Sequence, residues 1–330
     1  MLLAGDVGGT KTSLGLFDES RPGTARVAHG RVASREAGSL EAAVDEFLGA
    51  HGRPRIDAAC FGVAGVVVEG RAATTNLPWQ VDERELARAI PTRRVRLLND
   101  LEAAGYGVLL LAPDELAELQ PGRPREGHRV LIAAGTGLGQ ALLIWQQGHH
   151  HVVASEGGHV DFAPRDERQG RLLAHLRRLH GRVSYEDVLS GPGLVAVYRF
   201  LRQDGPTPPP EPAWLAAELA QEDAAKVISE AALEGRDPVC AAALDLFVSV
   251  YGAEAGNLAL KAVAVGGVIV GGGIAPKILS ALSDGAFIRA FRDKGRMAKL
   301  MEDIPVRVAL NPETALLGAA SVARRLVAEA

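Results

Sequence analysis

Two stretches of this chain repeat one pattern, and the repeat limits the folds open to it. Leu2 to Val7 reads as an apolar strand, Gly8-Gly-Thr-Lys11 as a tight turn, and Thr12 to Phe17 as a second strand. The segment from Val130 to Trp145 repeats that order: aliphatic strand, the turn Gly135-Thr136-Gly137, aliphatic strand. Such a repeat predicts two similar halves facing a cleft. A chain of 330 residues is long enough for two domains and a sizeable core.

Each turn nearly matches a familiar nucleotide motif, and each mismatch is informative. Gly5-x4-Thr10-Lys11-Thr12 has Thr10 where a P-loop has its second glycine, and a P-loop needs a helix after the lysine. Thr12 to Phe17 is too short for that helix, so the expectation is strand–turn–strand. Gly135-Thr-Gly137-Leu-Gly139 is followed by Gln140 and a strand, which excludes a Rossmann site. Backbone N–H groups in either turn can still cradle phosphate. Asp6, just before the first turn, is placed to approach a nucleotide's Mg²⁺ through water. An ordinary hairpin turn is the plain alternative.

Between the turns, Val95-Arg-Leu-Leu-Asn99-Asp100 reads as a short strand ending on two polar side chains, with a helix expected from Leu101. A carboxylate at a strand end can take a proton from a hydroxyl. Helix capping is the plain alternative for both residues. A base flanked by two phosphate cradles points to a hydroxyl attacking a nucleotide's terminal phosphate.

Later segments add polar groups beside glycine. In Ser155-Glu156-Gly-Gly-His159 the glycine pair lets backbone approach a ligand closely. Glu156 can accept hydrogen bonds from hydroxyls, and His159 can donate or accept. Ser184-Tyr-Glu186-Asp is expected to open a helix capped by Ser184. Val268-Ile-Val-Gly-Gly272-Gly273 reads as strand and turn, then a helix with Pro276 near its start, an order suited to an adenosine or α-phosphate contact. Residues 146–151 are expected to form a polar hairpin tip, with His149, His150 and His151 as solvated surface.

Composition narrows the partners. A formal net charge of −4 argues against nucleic acid or an anionic membrane surface, but not against a nucleotide held in a local cradle. Two cysteines, Cys60 and Cys240, can build neither a disulfide framework nor a Cys-rich zinc site, which fits a reducing cytosol. The first residues lack a basic signal-peptide region. The apolar run from Asn257 to Gly273 contains Lys261 and a glycine cluster, and reads as a helix end followed by a buried strand.

Taken in order, Gly5-Asp-Val-Gly-Gly-Thr-Lys-Thr, Gly62-Val-Ala-Gly, Thr75-Asn-Leu-Pro-Trp, Leu98-Asn-Asp-Leu-Glu-Ala, Ala134-Gly-Thr-Gly-Leu-Gly, Ser155-Glu-Gly-Gly-His-Val-Asp, Tyr185-Glu, Leu189-Ser-Gly-Pro-Gly and Val270-Gly-Gly-Gly-Ile resemble the bacterial glucokinase family over nearly the whole chain. The resemblance implies an α/β fold, the two-domain actin-like ATPase (ribonuclease H-like) type. Each domain would be a mixed sheet flanked by helices, with the active site in the interdomain cleft. Residues 1–110 plus 313–330 would form the small domain and 111–312 the large one. It also implies ATP-dependent phosphorylation of glucose at its 6-hydroxyl by a cytoplasmic homodimer, with ATP as co-substrate and Mg²⁺.

By position, Asp100 resembles the catalytic base, and Asn99, Glu156, His159 and Glu186 resemble the sugar ligands. Asp6, Gly8, Gly9, Thr10, Lys11, Gly135, Thr136, Gly137, Gly272 and Gly273 resemble the nucleotide side. Val66 departs from the family where proline often stands. The related repressor–kinase–ORF family carries a Cys-rich zinc loop after a Glu-x-Gly-His motif. Here no cysteine lies between His159 and Cys240, so no structural zinc is expected. Three alternatives stay open: a kinase for another hexose or amino sugar, a sugar-responsive repressor, and a non-catalytic sugar sensor. The repressor would need a DNA-binding segment ahead of Gly5. The sensor sits poorly with Asp6, Asp100, Glu156 and His159 standing together.

Overall fold

A computed structural model describes residues 1–20, 25–74, 77–205 and 210–329. The end of the turn after Phe17, the Thr75-Asn76 pair, most of the proline-rich connector after Gly205, and Ala330 lie outside the described residues. The chain divides into two compact units. One comprises Met1–Pro113, Val152–Ala154 and Asn311–Ala330; the other comprises Asp114–His151 and Ser155–Leu310.

In the first unit, β1 (Leu2–Val7), β2 (Lys11–Phe17) and β3 (Arg26–Ala33) form an antiparallel meander. Strand β4 (Ala58–Val63) pairs parallel to β1. A small antiparallel ribbon follows, made of β5 (Val67–Val68), β6 (Arg71–Ala73) and β7 (Gln80–Asp82). Strand β8 (Val95–Asn99) then pairs parallel to β4, giving the order β3-β2-β1-β4-β8. The helices are α1 (Leu40–Ala50), α2 (Glu83–Ala89), α3 (Asp100–Val108) and a C-terminal helix, Thr314–Ala328.

Alternation in β1 decides which helices cover which face. Leu3 and Val7 pack with Leu40, Val44, Phe47 and Leu86 from α1 and α2. Leu2 and Ala4 pack with Ala103 from α3 and with Leu316, Ala319 and Ala323 from the C-terminal helix. Burying a leucine fully is worth on the order of 2 kcal/mol, and a one-residue slip would send each of these side chains to the wrong face. Asp6, next in the even series, comes out on the α3 side at the carboxyl end of the strand. Helix α3 and the C-terminal helix cross through small residues. A Cβ on Gly107 would collide with the Thr314 carbonyl, and one on Gly318 with the Ala103 carbonyl.

The second sheet uses β9 (Leu116–Gln120), β10 (Arg129–Ala134), β11 (Leu138–Gln146), β12 (His149–Ser155), β13 (Gly267–Gly271) and β14 (Val306–Ala309). Its order is β12-β11-β10-β13-β14-β9. Strands β10 and β11 are antiparallel, β13 and β14 run parallel to β10, and β9 lies antiparallel on the edge. Without β9, this is the order of the first sheet. The strand–turn–strand repeat is therefore a repeat of topology.

Helices α4 (Glu167–His180), α5 (Gly191–Leu201), α6 (Ala213–Gln221), α7 (Ala224–Leu233), α8 (Pro238–Ala262), α9 (Leu279–Ser283), α10 (Ala286–Arg292) and α11 (Ala298–Asp303) complete the unit. Among the described residues, α8 alone is long and apolar enough to cross a membrane, and 78% of its most apolar window is buried. Leu244, Phe247, Tyr251, Ala255 and Leu258 all belong to the unit's core. A helix apolar and buried on most sides is a core helix.

Four local expectations are corrected. Helix α3 starts at Asp100, not Leu101. No helix opens at Ser184; that segment makes one closed turn, and α5 begins seven residues later with Ser190 as its cap. After Gly273 comes a 3₁₀ turn, Ala275–Ile278, and only the five-residue α9. The histidine triplet begins β12 rather than capping a hairpin, and His150 is buried.

Candidate active site

The predicted residues of the first unit gather at one edge of its sheet. Asp6 is paired with Gly62 of β4, and Gly62 with Leu98 of β8. Gly62 has no side chain, which lets α3 start against the sheet: a Cβ there would stand 2.7 Å from the Ala103 Cβ and 3.6 Å from the Asp100 Cα. Asp6 and Asp100 thus flank one glycine at the carboxyl ends of parallel strands, where open α/β sheets bind ligands.

Asn99 is the N-cap of α3. Its Oδ1 accepts from the Leu101 and Glu102 N–H groups at 2.9 and 3.4 Å, and its Nδ2 donates to the Gly65 carbonyl at 3.0 Å. The capping expectation therefore holds for Asn99, and one amide N–H is left for a ligand. Asp100 is the first helical residue, its Oδ1 accepting from Leu101 N–H at 2.9 Å. A carboxylate in the first turn is stabilised by the helix dipole.

The first glycine turn is held from below by a residue the sequence did not single out. Buried Ser34 donates from Oγ to the Gly8 carbonyl at 2.8 Å, and its N–H donates to the Thr10 carbonyl at 3.1 Å. The Gly8 N–H meets the Lys11 carbonyl at 3.0 Å. Thr10 and Lys11 are exposed.

The second unit brings together three of the four predicted sugar ligands, Glu156, His159 and Glu186. His159 lies between two carboxylates, with Nε2 3.8 Å from Glu156 and Nδ1 3.9 Å from Glu186. Two segments carry these groups, and backbone bonds join them: Glu186 N–H to Gly158 O at 2.9 Å and Tyr185 N–H to Val160 O at 3.0 Å. Glu186 also reaches the glycine turn, its Oε2 accepting from Leu138 N–H at 2.8 Å. The glycines of the two turns in this unit that were predicted to face phosphate meet as well. Gly272, at φ +81°, packs its Cα against the Ala134 backbone beside Gly135. At Gly135 and Gly273 a Cβ would meet no protein atom within 4 Å. Protein packing does not require glycine at those two positions, and both leave open backbone for a ligand.

The glucokinase family model matches residues 3–326. The chain belongs to the glucokinase family. It is 42% identical to a glucokinase of Nostoc punctiforme, with 99% of each chain covered. Among solved structures, a glucokinase from an Antarctic psychrotroph superposes with a TM-score of 0.84 at 29% identity, covering 98% of each chain. A Streptomyces griseus glucokinase in complex with glucose and AMPPNP gives 0.64 at 25% identity, over 98% of this chain and 99% of that one. The family and the actin-like α/β fold expected from the motifs are both borne out.

In this glucokinase-family chain, burial alone pushes the Asp6 carboxyl up to about 6. A carboxyl whose charge is penalised by burial gains from a nearby cation. Mg²⁺ in kinases is commonly held by one or two carboxylates plus the substrate's phosphates, so a single Asp6 fits. Among the described residues no cluster of three or more His, Cys, Asp or Glu could form a protein-only metal cage. The sequence also missed Tyr251. Its fully buried hydroxyl lies 3.1 Å from Ala134 N and 3.3 Å from the Ile132 and Gly271 carbonyls, bracing the ends of β10 and β13 beneath the glycine turns.

Proposed function

We infer that this chain phosphorylates glucose at its 6-hydroxyl with ATP, and that Asp100 is the general base. The observation that carries the reading is Asp100 at the N-terminus of α3, at the carboxyl edge of the sheet that also presents Asp6. Asp100 aligns the hydroxyl and accepts its proton as the oxygen–phosphorus bond forms. Phosphoryl transfer otherwise needs positioning and charge neutralisation rather than covalent help. Glu156, His159 and Glu186 offer hydrogen bonds to sugar hydroxyls, as does the remaining Asn99 amide N–H. The turns at Gly8–Thr10, Gly135–Gly137 and Gly272–Gly273 offer N–H groups to phosphate, with Lys11 and Thr136 at their rims. Asp6 would hold the nucleotide's Mg²⁺, which would supply neutralisation of phosphate charge. A cytoplasmic homodimer is the matching proposal for location and assembly.

The test is ADP release from Mg-ATP with glucose, mannose, fructose, glucosamine, N-acetylglucosamine, N-acetylmannosamine and no sugar. Turnover with glucose and little elsewhere is expected. Turnover only with another sugar would keep the base and replace the substrate. No turnover with any sugar would overturn the kinase reading in favour of a sensor.

A further inference from the structure

Beneath the sugar-facing segments runs a chain of buried and half-buried polar side chains to which the reaction assigns no task. Lys294 Nζ donates to Asn257 Oδ1 at 2.8 Å and to the Ala253 carbonyl at 2.9 Å. Asn257 Nδ2 lies 3.0 Å from Glu254 Oε2 and 3.1 Å from the Tyr185 hydroxyl. Glu254 Oε1 accepts from Gln140 Nε2 at 2.9 Å. Glu254 is fully buried and Gln140 is 1% exposed.

The polarity of this chain is fixed from both sources. An ammonium can only donate, so Asn257 must turn its carbonyl to Lys294 and its NH₂ to Glu254. An ionised carboxylate can only accept, so Gln140 must turn its NH₂ to Glu254 and its carbonyl oxygen the other way. That carbonyl oxygen presses on Gly157: a Cβ added there would collide with it. At the other branch, Tyr185 immediately precedes Glu186. Space for the chain is built in as well, since a Cβ on Gly256 would stand 2.6 Å from Lys294 Cε.

We propose that Glu254 is a positioning residue for sugar binding: through Gln140 it fixes the Glu156–His159 segment, and through Asn257 and Tyr185 it fixes Glu186. The proposal rests on the reading of Glu156, His159 and Glu186 as sugar ligands. A buried carboxylate is costly to desolvate, and Glu254 stands fully buried in a core helix. Its return is a single orientation for two segments that must converge on one ligand.

The test compares the natural chain with Glu254→Gln and Gln140→Met, using steady-state kinetics and calorimetric glucose binding, with thermal unfolding as the folding check. Glu254→Gln keeps the shape but sets an NH₂ against either Gln140 or Asn257. The glucose KM and Kd should each rise about tenfold or more, because small misplacements of binding groups are amplified in this way. The ATP KM should stay within about twofold, a split that general damage would not produce. Gln140→Met breaks the same chain at its last link and carries the test if Glu254→Gln does not fold. Folded variants that bind glucose as tightly as the natural chain overturn the positioning role, as does an equal rise in both KM values. A natural chain that neither binds nor phosphorylates glucose overturns the sugar reading itself.

Discussion

Glu186 and Gly137 are locked together: the carboxylate that reaches the sugar-facing cluster also accepts from Leu138 N–H at 2.8 Å, and a Cβ on Gly137 would stand 2.5 Å from the same oxygen. Packing alone therefore calls for glycine at 137. Gly137→Ala puts a methyl into the turn itself and pushes Glu186 off Leu138, so it disturbs the proposed phosphate turn directly and the proposed sugar ligand with it. The expected result is a rise in both the glucose and ATP KM values, with the unfolding midpoint little changed. A rise confined to ATP would show that Glu186 adapts without loss.

Asp100→Asn retains the shape of the first turn of α3 and removes the proton acceptor. Turnover should fall by roughly 10²–10⁴, the range of a general base. Glucose binding measured by calorimetry should persist, because Asn99 keeps its cap and its remaining amide N–H. Near-normal turnover would remove Asp100 from the chemistry.

Gly318→Ala probes the support behind Asp100. The new methyl would meet the Ala103 carbonyl, part of a backbone that cannot rotate away. Overpacking of this kind costs about 1–3 kcal/mol, and more where backbone must shift. A fall of several degrees in the unfolding midpoint is expected, together with a lower kcat, since α3 carries Asp100 on its first turn. An unchanged midpoint would mean that the two helices can separate without penalty.

Arg202 and Asp237 form a buried ion pair at 2.6 Å, with side chains 9% and 2% exposed. Burial raises the Asp237 pKa, but the Cys240 N–H and the Arg202 guanidinium more than offset it and hold the carboxyl below its usual range. Asp237→Asn can keep the α8 cap but leaves Arg202 without its charge partner. Breaking one side of a buried pair costs about 3–5 kcal/mol. Urea unfolding should show that loss at pH 7. The depressed carboxyl contributes its stability above the unfolded-chain value of 3.8 and loses it as pH falls through the lower folded value.

What the sequence made legible was local. Apolar runs exposed β1, β2, β10 and β11, and glycine with threonine marked the turns joining them. The Asn99-Asp100 pair stood out because polar residues ended an apolar strand. The supports were hidden because their partners lie far along the chain: Ser34 under Gly8, Tyr251 under Ala134, and Glu254 beside Gln140, separated by 114 residues. Glu254 and Tyr251 also sit in a helix whose apolar run reads as core alone. Ser184 misled for a different reason. Its N–H and Oγ both bind Asp187 Oδ2, at 2.7 and 2.8 Å, the reciprocal contact that also starts helices, yet here it closes one turn. Strand β9 gave no signal, since Leu116-Ala-Glu-Leu-Gln lacks alternation and takes its form from β14.

The histidine in the middle of the triplet gives a pH signature. His150 is 9% exposed, with Nε2 donating to the Gly127 carbonyl at 3.1 Å and its ring 4.8 Å from Trp145. Burial lowers its pKa, and the neighbouring Arg129 adds to this, against the opposing pull of the Gly127 hydrogen bond. The unfolded chain's imidazole takes up its proton near 6.5, before the folded one does. The unfolded state therefore binds more protons in this window, and stability falls as pH drops from above 6.5 toward the lower folded value. Urea midpoints measured between pH 7.5 and pH 5 should fall for the natural chain and fall less for His150→Gln, which keeps an N–H donor and does not titrate. Equal slopes for the two proteins would place the acid sensitivity elsewhere.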